Sequence, residues 1–196
     1  MEVAIVKYNA GNVQSVQYAL ERLGVHASFT DDPEVLSAAD KVIFPGVGEA
    51  SSAMAYLRER KLDEVLTNLR QPFLGICLGM QLMANHSEEG AVDCLGVFDH
   101  QVKLFPTEVG KVPHMGWNLL DETDGPLLQN LPGTPFVYFV HSYYVELGES
   151  TVSTCQYGIP FSAIMQKENY YATQFHPEKS GDIGGKILEN FLALSV

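Results

Sequence analysis

The segment Gly75-Ile76-Cys77-Leu78-Gly79 places a cysteine between two glycines, after the apolar pair Phe73-Leu74 and before Met80. A strand that ends there and turns straight into a helix would push the central side chain out of the sheet, and flanking glycines give such a turn room. The expected chemistry is nucleophilic: a helix N-terminus favours a thiolate, and the Leu78 backbone N–H would point to where a tetrahedral oxyanion forms. A buried core cysteine is the plain alternative, because free cysteine is among the most buried residue types. Cys94 and Cys155 have no comparable surroundings and read as core thiols.

A thiol at neutral pH needs a base. His176 in Gln174-Phe175-His176-Pro177-Glu178 is the candidate. Residues two apart in an extended segment project to one side, and Pro177 biases His176 toward an extended backbone. Glu178 could then accept from one imidazole nitrogen and orient the other toward Cys77, giving a Cys-His-Glu triad. A surface turn is the other reading of His-Pro-Glu taken alone. Pro45-Gly46-Val47-Gly48 is the third piece: glycines on both sides let the peptide planes around Val47 rotate, so its N–H could be a second oxyanion donor. A tight turn without function is equally open there.

The elements that must position these residues follow from short β-rich runs alternating with helix patterns. Val3 to Val6 reads as a buried strand, and the loop from Tyr8 to Asn12 leads into a helix with Val13, Val16, Leu20 and Leu23 at helical spacing, ended by Gly24. Strands at 26–30, 42–44 and 73–76 follow, and Asp31-Asp32-Pro33 opens a short helix with an N-cap and a proline just inside it. Four strand-to-helix alternations predict a doubly wound, mostly parallel α/β sheet covered by helices on both faces. After Gly90 short strands dominate, at 101–104, 117–119, 136–141, 151–157, 161–166 and 170–174. These predict an antiparallel extension and a small second sheet. A last amphipathic helix carries Ile183, Ile187, Leu188, Phe191 and Leu192.

The chain of 196 residues carries 12 Lys plus Arg against 24 Asp plus Glu, a formal charge of -12, with no basic cluster. Nucleic acid and anionic membranes are therefore poor partners, because phosphate binding needs grouped positive charge. The length suggests one domain over 1–196. No apolar run approaches the roughly 20 residues that span a bilayer, the N-terminus shows no leader pattern, and three cysteines without a C-x-x-C pair suit reduced thiols. These point to the cytoplasm.

Together the motifs resemble the class-I (triad) glutamine amidotransferases, marked by G-x-C-x-G-x-Q and a later H-P-E. They stand here as Gly75-Ile76-Cys77-Leu78-Gly79-Met80-Gln81 and His176-Pro177-Glu178, and the resemblance covers nearly the whole chain. Within that family, Pro45-Gly46-Val47-Gly48, Pro113-His114-Met115-Gly116-Trp117-Asn118, Tyr138-Phe139-Val140-His141-Ser142-Tyr143 and His176-Pro177-Glu178-Lys179-Ser180-Gly181 resemble the HisH subfamily, the glutaminase subunits of imidazole glycerol phosphate synthase. The glutaminase subunits of anthranilate and aminodeoxychorismate synthases typically show PGPG in the first place and lack PHMGWN.

The resemblance implies a glutaminase that hydrolyses L-glutamine to glutamate and ammonia through a cysteinyl thioester. It implies delivery of the ammonia to a (β/α)8-barrel cyclase subunit, HisF, within a heterodimer of histidine biosynthesis. Cys77 would attack, His176 would protonate the leaving ammonia and then activate water, and Glu178 would hold the imidazole. Val47 and Leu78 would supply the oxyanion N–H groups. Gly48, Gln81, Glu89 and the stretch His141-Ser142-Tyr143 would bind glutamine, while Trp117, Tyr138 and Lys179 would stand at the partner interface and ammonia exit. No cofactor and no metal are implied. For Glu89 a solvated helix end is the other reading, and for Trp117 simple packing. A glutaminase of a chorismate-using synthase, a stand-alone γ-glutamyl hydrolase and a non-catalytic reactive-cysteine protein of the same fold are the rival functions.

Overall fold

Short β-branched runs buried at every position build the centre of the molecule. The computed structural model describes residues 1–9, 13–121 and 124–195; Ala10, Gly11 and Asn12 of the loop that the sequence places before the first helix lie outside the described residues. The first half runs β1 (Val3–Val6), α1 (Gln14–Arg22), β2 (Ala27–Thr30), α2 (Pro33–Ala38), β3 (Lys41–Phe44), α3 (Ala50–Glu59), α4 (Leu62–Thr67), β4 (Phe73–Ile76) and α5 (Leu78–Leu82). Local chemistry sets the punctuation. Asp32 caps α2 by accepting from the Glu34 N–H at 2.9 Å with Pro33 at the first position. At the end of α1, Gly24 (φ 75°) donates to Glu21 O and Val25 donates to Leu20 O, the paired bonds of a Schellman ending.

The second half runs β5 (His86–Ser87), β6 (Val92–Asp93), β7 (Gln101–Leu104), β8 (His114–Leu119), β9 (Phe136–His141), β10 (Tyr143–Val145), β11 (Thr151–Tyr157), β12 (Ile159–Lys167), β13 (Tyr170–Thr173) and α6 (Gly181–Ala193). Among the described residues the central sheet has the order β11-β12-β13-β4-β3-β1-β2. It is parallel from β13 through β2 and antiparallel across β11, β12 and β13. A four-stranded sheet, β10-β7-β5-β6, and a two-stranded ribbon, β8-β9, stand beside it.

Alternate residues along each central strand feed two cores. Ala4, Val6, Val42, Phe44 and Phe73 pack on one side with residues of α2 to α5. Val3, Ile5, Ile43, Leu74 and Ile76 pack on the other with α1 and α6, where Ile187, Leu188 and Phe191 are buried. Both faces being covered explains why β1, β3 and β4 read as continuous apolar runs rather than as alternation. The structure corrects the sequence reading at two kinds of place. β8 starts at His114, three residues earlier than expected, and β5, β6 and β10 are strands of two or three residues, too short to show a period of two.

Close approach decides two of the glycines. A Cβ on Gly79 would collide with Phe44 O, and one on Gly46 with Gly79 N. The loop after β3 is thereby pressed against the start of α5, which brings Val47 beside Cys77.

Candidate active site

Cys77 occupies the single step between β4 and α5. Its φ of 54° and ψ of -109° are costly for a side chain with a Cβ, on the order of 1–2 kcal/mol. The Cys77 N–H donates to Thr173 O at 2.7 Å, and Cys77 O accepts from the Gln81 N–H at 3.1 Å, so β13 and α5 hold the turn from both sides. The sulfur lies 3.8 Å from Val140 O and 3.8 Å from Gln174 Nε2.

His176 and Glu178 meet as the spacing predicted. Nδ1 of His176 is 2.7 Å from Glu178 Oε1, with both side chains about 3% exposed. Strand β9 clamps this turn: the His176 N–H donates to Tyr138 O at 3.0 Å, the Tyr138 N–H to Ser180 Oγ at 2.9 Å, and Ser180 Oγ to His176 O at 2.7 Å. Burial alone would strip the proton from His176, but the neighbouring Cys77, followed by Glu178, outweighs it and raises the imidazole to about 10. The direction of this shift favours the protonated imidazole. With Nδ1 on Glu178, Nε2 is the atom left for exchange with the sulfur; Nε2 and Glu178 Oε2 are buried without a hydrogen-bond partner among the described residues.

One cavity of about 340 Å³ gathers most of the expected residues: Gly46, Val47, Gly48, Cys77, Leu78, Gln81, Glu89, His141, Ser142, Tyr143 and His176. Glu178 stands behind His176. A larger cavity, about 630 Å³, lies on the α1 and α6 side of the turn and includes Glu178 and Lys179 but neither Cys77 nor His176. Chemistry is expected in the smaller one, which holds the sulfur and the imidazole.

Hydrogen bonding limits what each cavity residue can do. Gln81 Nε2 donates to Tyr143 O at 2.7 Å and to Gln174 Oε1 at 3.1 Å, so both amide hydrogens are committed and only Oε1 can meet a ligand, as an acceptor. Glu89 Oε2 accepts from the Ala50 N–H at 2.9 Å; burial raises its pKa, against the pull of that N–H. Glu88 instead takes the Leu104 N–H and lies outside the cavity. His141 spends Nδ1 on Tyr143 O at 2.7 Å and Nε2 on His114 Nδ1 at 3.0 Å. Its ring is thus unavailable as a donor to substrate.

Sequence reasoning passed over three features. Tyr8 donates to Pro45 O at 2.6 Å and anchors the Gly-Val-Gly loop, its phenol pushed up first by burial and then by the charge of Cys77. Gln174 reaches the Cys77 sulfur, and His114 pairs with His141. No local pattern announces these contacts; the antiparallel register His114↔His141 and the parallel register Thr173↔Ile76 create them.

Both histidines of the pair are neutral. Burial depresses His114 to about 4; burial, then the nearby His114 and His176, depress His141 to about 3 despite the Tyr143 carbonyl. In the unfolded chain both would titrate near 6.5. Below that value the unfolded state takes up protons that the folded state refuses, so stability falls as pH falls through 6.5 toward 4, by up to about 1.4 kcal/mol per pH unit for each histidine. His176, raised above 6.5, contributes fully throughout this window. Urea denaturation between pH 7 and 5 should show this loss, and His114→Phe should flatten it.

On the outer side of the ribbon, Met115, Trp117 and Leu119 of β8 and Phe136 of β9 are exposed. Trp117 stacks on Phe136 at 5.9 Å and meets Tyr138 edge-on at 6.1 Å. Among the described residues, no group of three or more His, Cys, Asp or Glu is arranged to hold a metal, and no helix is long and apolar enough to cross a membrane.

Known proteins with the same fold include a GMP synthase-type protein from Thermoplasma acidophilum, with a TM-score of 0.75 at 20% identity, covering 98% of this chain and 92% of that one. A further glutamine amidotransferase structure superposes with a TM-score of 0.73 at 21% identity, covering 97% and 99%. In sequence, the imidazole glycerol phosphate synthase subunit HisH of Bacteroides thetaiotaomicron is 58% identical over 99% of this chain and 100% of its own. The HisH subunit of Vibrio cholerae is 45% identical over 98% of each. The family model of glutamine amidotransferase class-I matches residues 4–194, and the chain belongs to that family, on its HisH branch.

Proposed function

We propose that the chain is the glutaminase subunit of imidazole glycerol phosphate synthase, acting as one domain in the cytoplasm and supplying ammonia to the cyclase subunit HisF. The observation that carries this reading is the cavity shared by Cys77, His176, the Gly46-Val47-Gly48 loop, Gln81 and Glu89, in a chain that matches HisH subunits end to end.

Glutamine enters with its α-ammonium toward Gln81 Oε1 and Glu89, both acceptors, and its α-carboxylate toward backbone groups of Gly48 and of His141-Ser142-Tyr143. The Cys77 sulfur attacks the side-chain amide carbon. The oxyanion that forms is received by the N–H groups of Val47 and Leu78; as the first residue of α5, Leu78 has no intrahelical acceptor for its own. His176 gives its proton to the amide nitrogen, the C–N bond breaks, and ammonia leaves. The now neutral imidazole takes a proton from water, which attacks the thioester and releases glutamate. Glu178 keeps the ring aligned through both steps.

HisF, a (β/α)8 barrel, docks on the outer face of the ribbon, with Trp117 as an aromatic anchor. Tyr138 and the Lys179 turn border the ammonia exit. The acidity fits this division: glutamine has no net charge, and the phosphorylated substrate is bound by the partner. Docking also touches the chemistry, because the strand that carries Phe136 and Tyr138 on the docking side binds His176 through its backbone.

If the Val47 N–H points away from the site in the free subunit, one oxyanion donor is missing and the subunit is slow alone until the partner engages the loop. Glutaminase turnover should rise about a hundredfold or more on adding liganded HisF, the worth of one oxyanion donor. Equal turnover by the isolated chain would contradict this.

A further inference from the structure

We infer that Gln174 is a positioning residue for the nucleophile, that the Tyr143 carbonyl acting through Gln81 sets the orientation of its amide, and that a chain of neutral hydrogen bonds running through His114 and His141 holds that carbonyl in place. Gln174 is fully buried, and its Nε2 donates to the Cys77 sulfur, 3.8 Å away. Val140 O also lies 3.8 Å from that sulfur. The two contacts select opposite states: Val140 O can only accept from a thiol, whereas an amide N–H binds most strongly to a sulfur bearing negative charge. A reversed Gln174 amide would present its oxygen to the attacking sulfur.

Shape does not distinguish the two amide orientations, so partners must. Every link resolves to a backbone group. The Tyr143 carbonyl can only accept, which makes His141 Nδ1 and Gln81 Nε2 its donors. His141 Nε2 is then an acceptor and takes the proton of His114 Nδ1 at 3.0 Å. His114 Nε2 in turn accepts from Asn118 Nδ2 at 3.5 Å. Asn118 is itself fixed at both ends, donating to Gln156 O at 2.8 Å and accepting the Leu119 N–H at 2.8 Å. With Gln81 oriented by Tyr143 O, its second hydrogen goes to Gln174 Oε1 at 3.1 Å, and the Gln174 NH2 is left facing the sulfur. Stacking of His114 on Tyr157, at 4.0 Å, and on Phe139, at 4.8 Å, keeps the pair dry and uncharged.

This inference rests on Cys77 as the nucleophile of a glutaminase, and the test separates the two. In the complex with the cyclase subunit, Gln174→Met should lower kcat for glutamine about tenfold or more, the worth of a hydrogen bond to a charged group, with KM changed by less than about twofold. His141→Phe should lower kcat similarly, and in the Gln174→Met background it should add little, because both act through one contact. His141→Asn should recover most of the loss, since its amide N–H can replace Nδ1 toward Tyr143 O. Should Gln174→Met fail to fold, the contrast between His141→Phe and His141→Asn carries the test. A wild-type kcat in Gln174→Met, fully additive losses, or no rescue by asparagine would overturn the inference. Activity retained in Cys77→Ala would instead overturn the glutaminase reading beneath it.

Discussion

Cys77→Ala lowers glutamine hydrolysis by the complex about 10⁴-fold or more, while ammonia-dependent synthesis by the cyclase subunit continues. The size of the effect follows from the cavity. In the proposed reaction His176 carries protons and Glu178 is spent on it, so without the sulfur no thioester forms and only direct attack by water remains. The fold should survive, because among the described residues the sulfur's own hydrogen-bonding contacts are two weak ones at 3.8 Å and the backbone of the turn is held by Thr173 and Gln81. An electrophilic glutamine analogue should label the native chain at Cys77 and leave Cys94 and Cys155 unlabelled, since burial pushes both of those thiols up to about 12. Loss of activity together with loss of association would mean that the variant had damaged the fold rather than the chemistry.

The second large effect concerns the imidazole. His176→Asn should reduce kcat about 10³-fold to 10⁴-fold, the usual consequence of removing a base that acts as a unit with its nucleophile. Asparagine is preferable to alanine, because its amide can still donate to Glu178, and a buried carboxylate left unpaired would cost several kcal/mol. Glu178→Gln should cost about 10²-fold or more, because an amide can present N–H to Nδ1 and fix the wrong tautomer. The sign in pH is also set. Cys77 and Glu178 together hold the imidazole above its ordinary value, so removing the carboxylate's charge lowers it. Activity that needs the imidazolium to protonate leaving ammonia should then fail at lower pH. A kcat profile for Glu178→Gln with its alkaline limb displaced downward is the expected result; an unmoved limb would exclude Glu178 as a source of that charge support.

The placement of Cys77, His176 and Glu178 was largely legible in the chain itself. G-x-C-x-G after an apolar run fixes a strand-to-helix turn, and His-Pro-Glu fixes the reach of one side chain to another two residues on; both depend on local stereochemistry. Gln81 and Glu89 were legible by resemblance, and the structure adds which of their atoms remain free. Other contacts were hidden because they are products of register. His114 and His141 are 27 residues apart and meet only because β8 and β9 pair as they do. Gln174 reaches Cys77 only because β13 runs parallel to β4. The short strands β5, β6 and β10 could not be seen for a related reason: two or three residues carry no period, and neighbouring strands supply their structure.

The central claim is that this chain makes ammonia from glutamine for a partner barrel, and reconstitution tests it most directly. The cyclase subunit HisF, supplied with its phosphorylated substrate and no ammonium salt, should remain idle with glutamine alone. On adding this chain it should form imidazole glycerol phosphate, with one glutamate released for each product molecule. Product formation that still required ammonium salt, or glutamate release that continued unchanged without HisF, would contradict the claim.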